Sequence, residues 1–328
     1  MAHEMRALVV TNMWPSEADP ARGRFVADQV AALREIDGVE VEVFSFPHGG
    51  PNYVRGALAL RRAHRGEDFD VIHAHFGLAA WPALALRGAP HAVTLHGTDL
   101  RHPRSRRITL AAFGRLDLVG VVSASLARHI PAHRAPRLAV LPCGVDLDRF
   151  RVIDRAEARQ RLGLDADARY VLFPADPARA VKRVDLARET VAGEAHLLTL
   201  GTVDPDEVPY WVNAADAVIV PSDDEGFGLA VLEALACDVP VLATAVGIHP
   251  VALDGVPGTL CAPYERERWR TALAMTLTHP GGRVQGRARA ALFGSRVMAR
   301  RVVAAWSELT ANPLLDSPEA PHDGAVSR

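Results

Sequence analysis

The chain has 328 residues, of which 49% are hydrophobic and 23% are charged, and its formal net charge is −2 at pH 7. This length is sufficient for two domains of ordinary size, and the composition indicates a globular chain with a sizeable core. The small net charge argues against a general nucleic-acid binder, so no nucleic-acid partner is expected.

Short apolar runs alternate with helical patterns along the first part of the chain. A helix is predicted over 24–36, where Phe25, Val26, Val30 and Leu33 form one apolar stripe. This alternation predicts a parallel sheet with helices on both faces, because strands so apolar must be buried on both sides. The predicted strands are 6–12, 39–45, 70–75, 91–97, 117–123 and 137–142.

The same pattern restarts after a polar, irregular segment between residues 146 and 160. Strands are predicted at 169–175, 195–201, 216–222 and 239–245, with helices near 183–193, 206–214 and 227–237 and closing helices at 265–279 and 295–309. We therefore predict a first domain over 1–150, a second over 151–310, and a flexible, Pro- and Ser-rich tail over 311–328.

The predicted fold class is α/β, with two doubly wound, Rossmann-like domains that face each other across a cleft. The carboxyl ends of both sheets line such a cleft, and ligands usually bind there. The loops that follow the strands are therefore the first places to search for functional side chains.

The cysteines and the apolar runs favour a cytoplasmic protein. Cys143, Cys237 and Cys261 follow no metal-ligand spacing, and their odd number suits reduced thiols. The opening "MAHEMRALVV" leads directly into a strand-like run, so no signal peptide is predicted. No apolar stretch approaches the ~20 residues of a membrane-spanning helix.

The stretch "DDEGFGLAVLEALA" (223–236) contains two glutamates at a predicted helix start. Glu225 precedes a Gly-Phe-Gly turn, and the free N–H groups of such a helix start suit a phosphate or a sugar, although a plain turn has the same residues. Glu233 lies inside an otherwise apolar helix, where an unpaired buried carboxylate costs several kcal/mol. Glu233 therefore either accepts hydrogen bonds from vicinal hydroxyls, as on a ribose, or lies on a half-exposed face.

Lys182, in "PARAVKRVDLA" (177–187), is the only lysine, and every other basic side chain among the 37 Lys and Arg residues is arginine. In a chain so rich in arginine, a single lysine is either a chance survivor or a position that needs a compact ammonium instead of a planar guanidinium.

Residues 216–247, "DAVIVPSDDEGFGLAVLEALACDVPVLATAVG", resemble the donor-binding motif of the retaining glycosyltransferases of family 4, which have the GT-B fold. That motif is Glu, seven residues and Glu, between a Pro-Ser strand end and a "PV-A-T" strand. "VIHAHFG", "VTLHGTDL" and "VLPCGVDLDRF" are similar to the family's other landmarks, in the same order. "RALVVTNMWPSEADPARGRFVADQV" is similar to the branch that builds cell-surface polysaccharides, teichuronic acid included.

The resemblance implies a retaining glycosyltransferase that moves a sugar from a nucleotide sugar to a glycan, lipid-linked or small-molecule acceptor. Lys182 matches the lysine that holds the diphosphate, and Arg179, with Arg183 second, is the nearest substitute for its arginine partner. Glu225 would hold hydroxyls of the transferred sugar and Glu233 the ribose. The implied donor-binding residues are Gly23, Arg179, Lys182, Glu225, Gly226, Phe227, Gly228, Leu229 and Glu233.

On the acceptor side, His96 matches the family's histidine near the donor sugar, although a histidine at a strand end can also be a satisfied core group. Asp99 would orient His96 or contact the acceptor. His96, Glu225 and Lys182 form the implied catalytic set. The resemblance implies no metal and no cofactor besides the nucleotide sugar, because basic residues neutralise the leaving diphosphate.

Several departures from the family pattern leave alternatives open. Only about two dozen residues separate Val184 from Pro209, so a strand and a helix near the nucleobase are missing, and "VGIHPVAL" lacks the usual second glycine and glutamate. A GT-B nucleotide-sugar epimerase and a non-catalytic carbohydrate- or nucleotide-binding relative are the alternatives. A NAD-dependent oxidoreductase would need Gly-x-Gly-x-x-Gly after the first strand, and "TNMWPSEADPARG" lacks it.

Two basic stretches, 53–66 and 100–108, lie in the predicted first domain. Each taken singly is typical of a solvated charged surface. Together, on the acceptor side, they suggest peripheral contact with the anionic inner face of a cell membrane or with a lipid-diphosphate acceptor.

Overall fold

The computed structural model describes residues 4–131, 137–201, 203–278 and 282–310. The predicted tail, 311–328, lies outside the described residues. Two parallel sheets, each covered by helices on both faces, form two α/β domains. This is the predicted fold class, and each of the ten predicted strands is present.

Six strands occur among the described residues of the first domain. They are β1 (Met5–Thr11), β2 (Val39–Ser45), β3 (Val71–His75), β4 (His91–Leu95), β5 (Leu118–Val121) and β6 (Leu138–Val140). They pair in parallel in the order β2-β1-β3-β4-β5-β6. Every residue of β3 and β4 is buried, as their continuous apolar character predicts.

Six α-helices occur in the described part of residues 1–150. They are α1 (Arg24–Arg34), α2 (Gly50–Ala63), α3 (Ala80–Ala83), α4 (Thr98–Arg101), α5 (Pro103–Ala112) and α6 (Ala124–Ala127). Val26, Val30 and Leu33 of α1 are buried, which confirms the predicted stripe, whereas Phe25 is half-buried at the helix start.

In the part of the second domain that the structure describes there are five strands, again all parallel. They are β7 (Tyr170–Phe173), β8 (His196–Thr199), β9 (Ala217–Val220), β10 (Val241–Ala243) and β11 (Leu260–Cys261), in the order β11-β10-β9-β7-β8. Strand β11 was not predicted, because two residues are too few to show a period. The following helices are α7 (Arg155–Leu162), α8 (Val184–Val191), α9 (Val208–Ala214), α10 (Leu229–Ala236), α11 (His249–Leu253), α12 (Arg266–Leu277), α13 (Arg287–Ala291) and α14 (Ser295–Thr310).

Each sheet has a point where the strand order reverses. The chain adds β2 on one side of β1 and then β3 on the other, and it adds β8 on one side of β7 and then β9 on the other. The loops after β1 and β3, and after β7 and β9, therefore diverge and leave a crevice at the carboxyl edge, where ligands of doubly wound folds bind.

The last helix, α14, belongs to the core of the first domain, which differs from the predicted second domain of 151–310. Ala299, Val302, Val303 and Trp306 pack in one cluster with residues of β1 and α1 such as Val9. The sequence pattern predicted the helix correctly but not its partner, because an apolar stripe does not identify the surface that covers it.

Among the described residues, none of the helices is long and apolar enough to cross a membrane.

Candidate active site

Lys182 and Glu225 form an ion pair at the reversal point of the second sheet. Lys182 ends a short 3-10 helix after β7, and Glu225 lies in the loop after the neighbouring strand β9. The Lys182 Nζ is 2.6 Å from Oε1 and 2.7 Å from Oε2 of Glu225, and the two side chains are only 14% and 9% exposed. The Ser222 hydroxyl donates to the same Oε1 at 2.8 Å. The two residues for which separate roles are predicted are therefore in direct contact.

This pair neutralises two charges that would otherwise be costly in such a buried position. A diphosphate that binds here would share the Lys182 ammonium with Glu225. Such sharing suits a compact ammonium with three rotatable N–H donors better than a fixed guanidinium fork. The geometry thus gives a physical reason for a lysine at this position.

The turn 226–228 presents only its backbone to a ligand. Gly228, at φ 102°, is the residue before α10, and the first N–H groups of a helix have no partner within it. The Phe227 ring is buried in the core, and Leu229, the first residue of α10, is half-buried. Any donor contact from Gly226, Phe227 or Gly228 must therefore come from main-chain atoms.

Gly226 touches the first domain. A Cβ on Gly226 would overlap the carbonyl oxygen of His96, so no other residue fits without separating the two loops. The Ser123 hydroxyl also donates to the Gly226 carbonyl oxygen, at 3.2 Å. The glycine of the donor motif is therefore needed for the contact between the domains.

His96 lies in the loop after β4, half-buried at the carboxyl edge of the first sheet. Its Nε2 is 3.1 Å from Nδ1 of His75, and its ring centroid is 4.8 Å from that of Phe25. Burial, followed by the neighbouring His75, holds the pKa of His96 well below its usual range. His96 is therefore a neutral imidazole at neutral pH.

Asp99 is completely buried and serves the His96 loop. Its carboxylate accepts backbone N–H groups of His96 at 3.0 Å, Gly97 at 2.8 Å and Gly77 at 3.2 Å. Burial raises the pKa of Asp99, and these hydrogen bonds oppose that rise. The geometry suits the predicted orienting role and leaves Asp99 no exposed atom for direct contact with an acceptor.

Arg101 is a site residue that the sequence did not single out. Its Nη2 donates to the carbonyl oxygen of Glu225 at 2.6 Å, and its Nη1 is 2.6 Å from the carboxylate of Asp224. Arg101 lies in the basic stretch 100–108, and these two contacts make it a bridge between the domains; the predicted contact of this stretch with a membrane or a lipid diphosphate stays a prediction. The available signal was its position shortly after the predicted strand 91–97 of the first sheet.

The two arginines predicted to bind the diphosphate differ in whether they already form ion pairs with carboxylates. Arg183, at φ 57°, is bonded to Asp185 and Asp223, and these bonds raise its pKa. Arg179 is exposed and pairs with no carboxylate among the described residues. Arg179 therefore remains available to a ligand, and its contact with the diphosphate stays a prediction.

Gly23 has a structural reason to be glycine. It precedes α1 at φ 66°, and a Cβ there would overlap the backbone of Met13. Its predicted approach to the donor phosphates stays a prediction.

His249 occupies the segment that lacks the family's second glycine and glutamate. It is fully buried, and its Nδ1 is 2.8 Å from the Thr244 carbonyl oxygen, so this nitrogen donates. The ring packs against Gly228, where a Cβ would overlap it. Burial lowers the pKa of His249. The neutral His249 ring therefore packs against Gly228 and supports the turn that precedes α10.

Glu233 lies half-buried on α10 with no hydrogen bond among the described residues. Burial raises its pKa to about 7, while nearby Arg149 opposes the rise and Asp28 adds to it. Asp28 itself binds Arg149 at 3.0 Å and Arg24 at 2.9 Å. Glu233 is thus a carboxyl group with free acceptors near the cleft, as a ribose ligand requires.

The raised pKa of Glu233 predicts a pH-dependent stability of the ligand-free protein. The folded state holds this proton more tightly than the unfolded chain, so Glu233 stabilises the fold at low pH. That contribution is lost as the pH rises from about 4.5 to about 7. In wild type, this loss lowers the free energy of unfolding between about pH 5 and about pH 8. Glu233→Gln is expected to remove that part of the decrease, which urea unfolding at a series of pH values measures. Glu17→Gln, at an exposed position, is the control; identical curves for wild type and Glu233→Gln would contradict the prediction.

A cavity of about 460 Å³ adjoins the ion pair on the far side of Ser222. Its lining includes Arg183, Asp223, Thr244 and Tyr264, which follow β7, β9, β10 and β11. A volume of this size accommodates a small organic ligand or part of a larger one. The carboxyl edge of the second sheet therefore has room beside Ser222 and Arg183.

One group of potential metal ligands occurs among the residues that the structure describes, namely Glu42, His64 and Glu67. The Arg6 guanidinium binds both glutamates. It therefore supplies the positive charge at this cluster, which lies on β2 and in the segment between α2 and β3.

Fold and site together define the class of protein. Two doubly wound domains meet at their carboxyl edges, with an ammonium and a helix N-terminus on one side and a neutral histidine on the other. This is the GT-B architecture.

Comparison with known proteins identifies the family. Residues 2–149 match Glycosyltransferase Family 4, and residues 153–279 match Glycosyl transferases group 1. The D-inositol 3-phosphate glycosyltransferase of Actinosynnema mirum is 32% identical over 70% of this chain and 69% of its own length. The D-inositol 3-phosphate glycosyltransferase of Frankia alni is 30% identical over 92% of this chain and 89% of its own length. The chain therefore belongs to the same family of glycosyltransferases as these two relatives.

Solved structures share the fold. Sucrose-phosphate synthase of Thermosynechococcus elongatus superposes with a TM-score of 0.73 at 20% identity, covering 93% of this chain and 98% of the other. Anabaena HepE, crystallised with UDP and glucose, gives a TM-score of 0.69 at 17% identity, covering 93% and 100%. The predicted GT-B fold is confirmed.

Proposed function

We propose that this chain transfers a sugar from a nucleotide sugar to a hydroxyl group of an acceptor, with retention at the anomeric carbon. The observation that carries the proposal is the Lys182–Glu225 pair. It lies beside the N-terminus of α10 and, through Gly226, against the His96 loop. A diphosphate and the sugar attached to it would then span the contact between the two domains.

In the proposed reaction the acceptor oxygen attacks the anomeric carbon from the face that the diphosphate leaves. The bond from the anomeric carbon to the phosphate oxygen breaks, and the departing diphosphate takes the acceptor proton. Lys182, Arg179 and the N–H groups of α10 stabilise the charge that develops on the leaving group, so the step needs positioning and electrostatics and no metal. Glu225 and Glu233 hold the sugar and the ribose.

The nucleobase and the acceptor are the parts that the proposal leaves to experiment. HepE was crystallised with UDP, which makes UDP the first nucleotide to test. The predicted acceptors are glycans, including those of the teichuronic-acid branch, lipid-linked acceptors and small molecules, and the name of the relatives makes D-inositol 3-phosphate the first small molecule to test. A cytoplasmic location stays a prediction.

Calorimetry with UDP, GDP and ADP tests the donor site, and NMR of the product made from the matching nucleotide sugar tests the reaction. We expect one nucleotide to bind and the product to keep the anomeric configuration of the donor. Release of an epimerised free sugar would favour the epimerase. Failure of all three nucleotides to bind would overturn the proposal in favour of a non-catalytic relative.

Peripheral membrane contact is part of the proposal, and α2 is its best candidate surface. Val54 and Leu58 of α2 are 66% and 65% exposed, between the exposed Arg55, Arg61 and Arg62. Exposed apolar side chains among arginines are typical of helices that lie on anionic lipid. Failure to sediment with phosphatidylserine vesicles at low salt would remove this contact.

A further inference from the structure

Three histidines form a continuous column from α14 to the cleft. His73 and His75 stand two residues apart on β3, and both are buried, at 0% and 1% exposure. The ring centroids of His73 and His75 are 5.0 Å apart and those of His75 and His96 are 5.3 Å apart, with interplanar angles of 17° and 25°. Such a stack fixes each ring plane through its neighbour.

The inner end of the column has a defined protonation. The Trp306 Nε1–H can only donate, and it lies 2.9 Å from Nδ1 of His73. His73 Nδ1 therefore accepts, so the proton of the neutral ring is on Nε2, which donates to the Thr94 hydroxyl at 2.8 Å. Both ring nitrogens of His73 are used, and the ring has one tautomer and one orientation.

The outer end of the column holds His96 by one nitrogen. Nε2 of His96 lies 3.1 Å from Nδ1 of His75, whereas Nδ1 of His96 has no hydrogen-bond partner in the described part of the chain. Each neutral imidazole carries one proton, so one of the two facing nitrogens donates and the other accepts, and the tautomer of His96 follows that of His75: Nδ1–H in both rings or Nε2–H in both. Without His75 the ring could turn over and exchange its two nitrogens.

We propose that His75 is a positioning residue, which binds Nε2 of His96 and thereby presents Nδ1 of His96 to the cleft in one ring orientation and in the tautomer that His75 itself adopts. His73, locked by Trp306, holds the His75 ring in place. Helix α14 is thus connected to the wall of the site through side chains alone. The effect on catalysis rests on the proposed function, but the geometry of His96 does not.

Two variants with similar polarity test the proposal. The amide of Asn reaches the position of Nδ1 of a histidine, whereas the amide of Gln reaches the position of Nε2. His75→Asn is therefore expected to keep the bond to His96, and His75→Gln to lose it. Nitrogen-15 NMR of histidine-labelled protein reads the tautomer directly. We expect one His96 tautomer in wild type and His75→Asn, and a mixture in His75→Gln.

His91→Asn is the control, because His91 is another buried histidine of the same sheet but bonds the carbonyl oxygens of Ala83 and Leu86. It is expected to leave the His96 tautomer unchanged. Trp306→Phe replaces the indole by a smaller aromatic ring without an N–H. Because His73 Nδ1 then loses its donor, the nitrogen-15 signals of His73 should shift. A tautomer mixture in wild type, or a single unchanged tautomer in folded His75→Gln, would overturn the proposal.

Turnover supplies the second measurement. In His75→Gln we expect kcat to fall by about tenfold to a hundredfold, as for a slightly misplaced group. The nucleotide Kd should change by less than about twofold, and His75→Asn should recover most of kcat. Equal loss of kcat in the Asn and Gln variants would contradict a positioning role. If wild type binds no nucleotide, the proposed function fails, and NMR alone decides the role of His75.

Discussion

Lys182→Ala is expected to weaken binding of the nucleoside diphosphate by about a hundredfold or more, and to lower turnover by about a thousandfold. The variant loses the charge-assisted hydrogen bonds to the diphosphate. It also leaves the Glu225 carboxylate, which is 9% exposed, without its cation beside an anionic ligand. Calorimetry with the nucleotide and steady-state kinetics measure the two losses.

The stability of the same variant needs a separate control, because an unpaired buried charge also destabilises the fold. We expect Lys182→Ala to lower the free energy of unfolding by about 3–5 kcal/mol. The double variant Lys182→Ala, Glu225→Gln removes both charges and should recover much of this stability without recovering nucleotide binding. Recovery of binding by the double variant would mean that Lys182 serves only to neutralise Glu225.

Gly226→Ala should reduce kcat/KM by about a hundredfold while the protein stays folded. The added Cβ would overlap the His96 carbonyl oxygen, so the loop after β9 must move away from the first domain. The hydrogen bonds of Ser123 to Gly226 and of Arg101 to Glu225 cross the same boundary and would lengthen with it. Kinetics, with a thermal melt for folding, measure the effect.

Gly114→Ala is the matched control for Gly226→Ala. Gly114 is exposed, and a Cβ there has no atom within 4 Å. Its activity should equal that of wild type. If Gly226→Ala also keeps wild-type activity, contact between the two loops is not required, and the closed arrangement of the domains has no part in the reaction.

The local structure was predictable because its causes are local. The apolar runs gave every strand of four or more residues, and the Gly-Phe-Gly turn correctly gave the start of α10. The motif around Glu225 also gave the family, which the comparisons confirm. Each of these depends on neighbours within a few residues, either through the period of the pattern or through backbone freedom at glycine.

Contacts between distant loops were not predictable. The sequence indicated Lys182 and Glu225 one at a time, but the bond between them exists because β7 and β9 are neighbours although β8 lies between them in the chain. The contact of Arg101 with Glu225 was not predictable either, because it joins two distant segments that only the fold brings together.

By itself, then, the sequence determined the two sets of α/β units, the donor motif and the glycosyltransferase family. Only the tertiary structure decided that α14 covers the first domain, that Asp99 is buried beneath the His96 loop, and that three histidines stack toward the cleft. The physical reason is the distance along the chain over which each effect acts. Periodicity and turn chemistry act between near neighbours, whereas strand order follows from burying all apolar surfaces at once, which no short segment specifies.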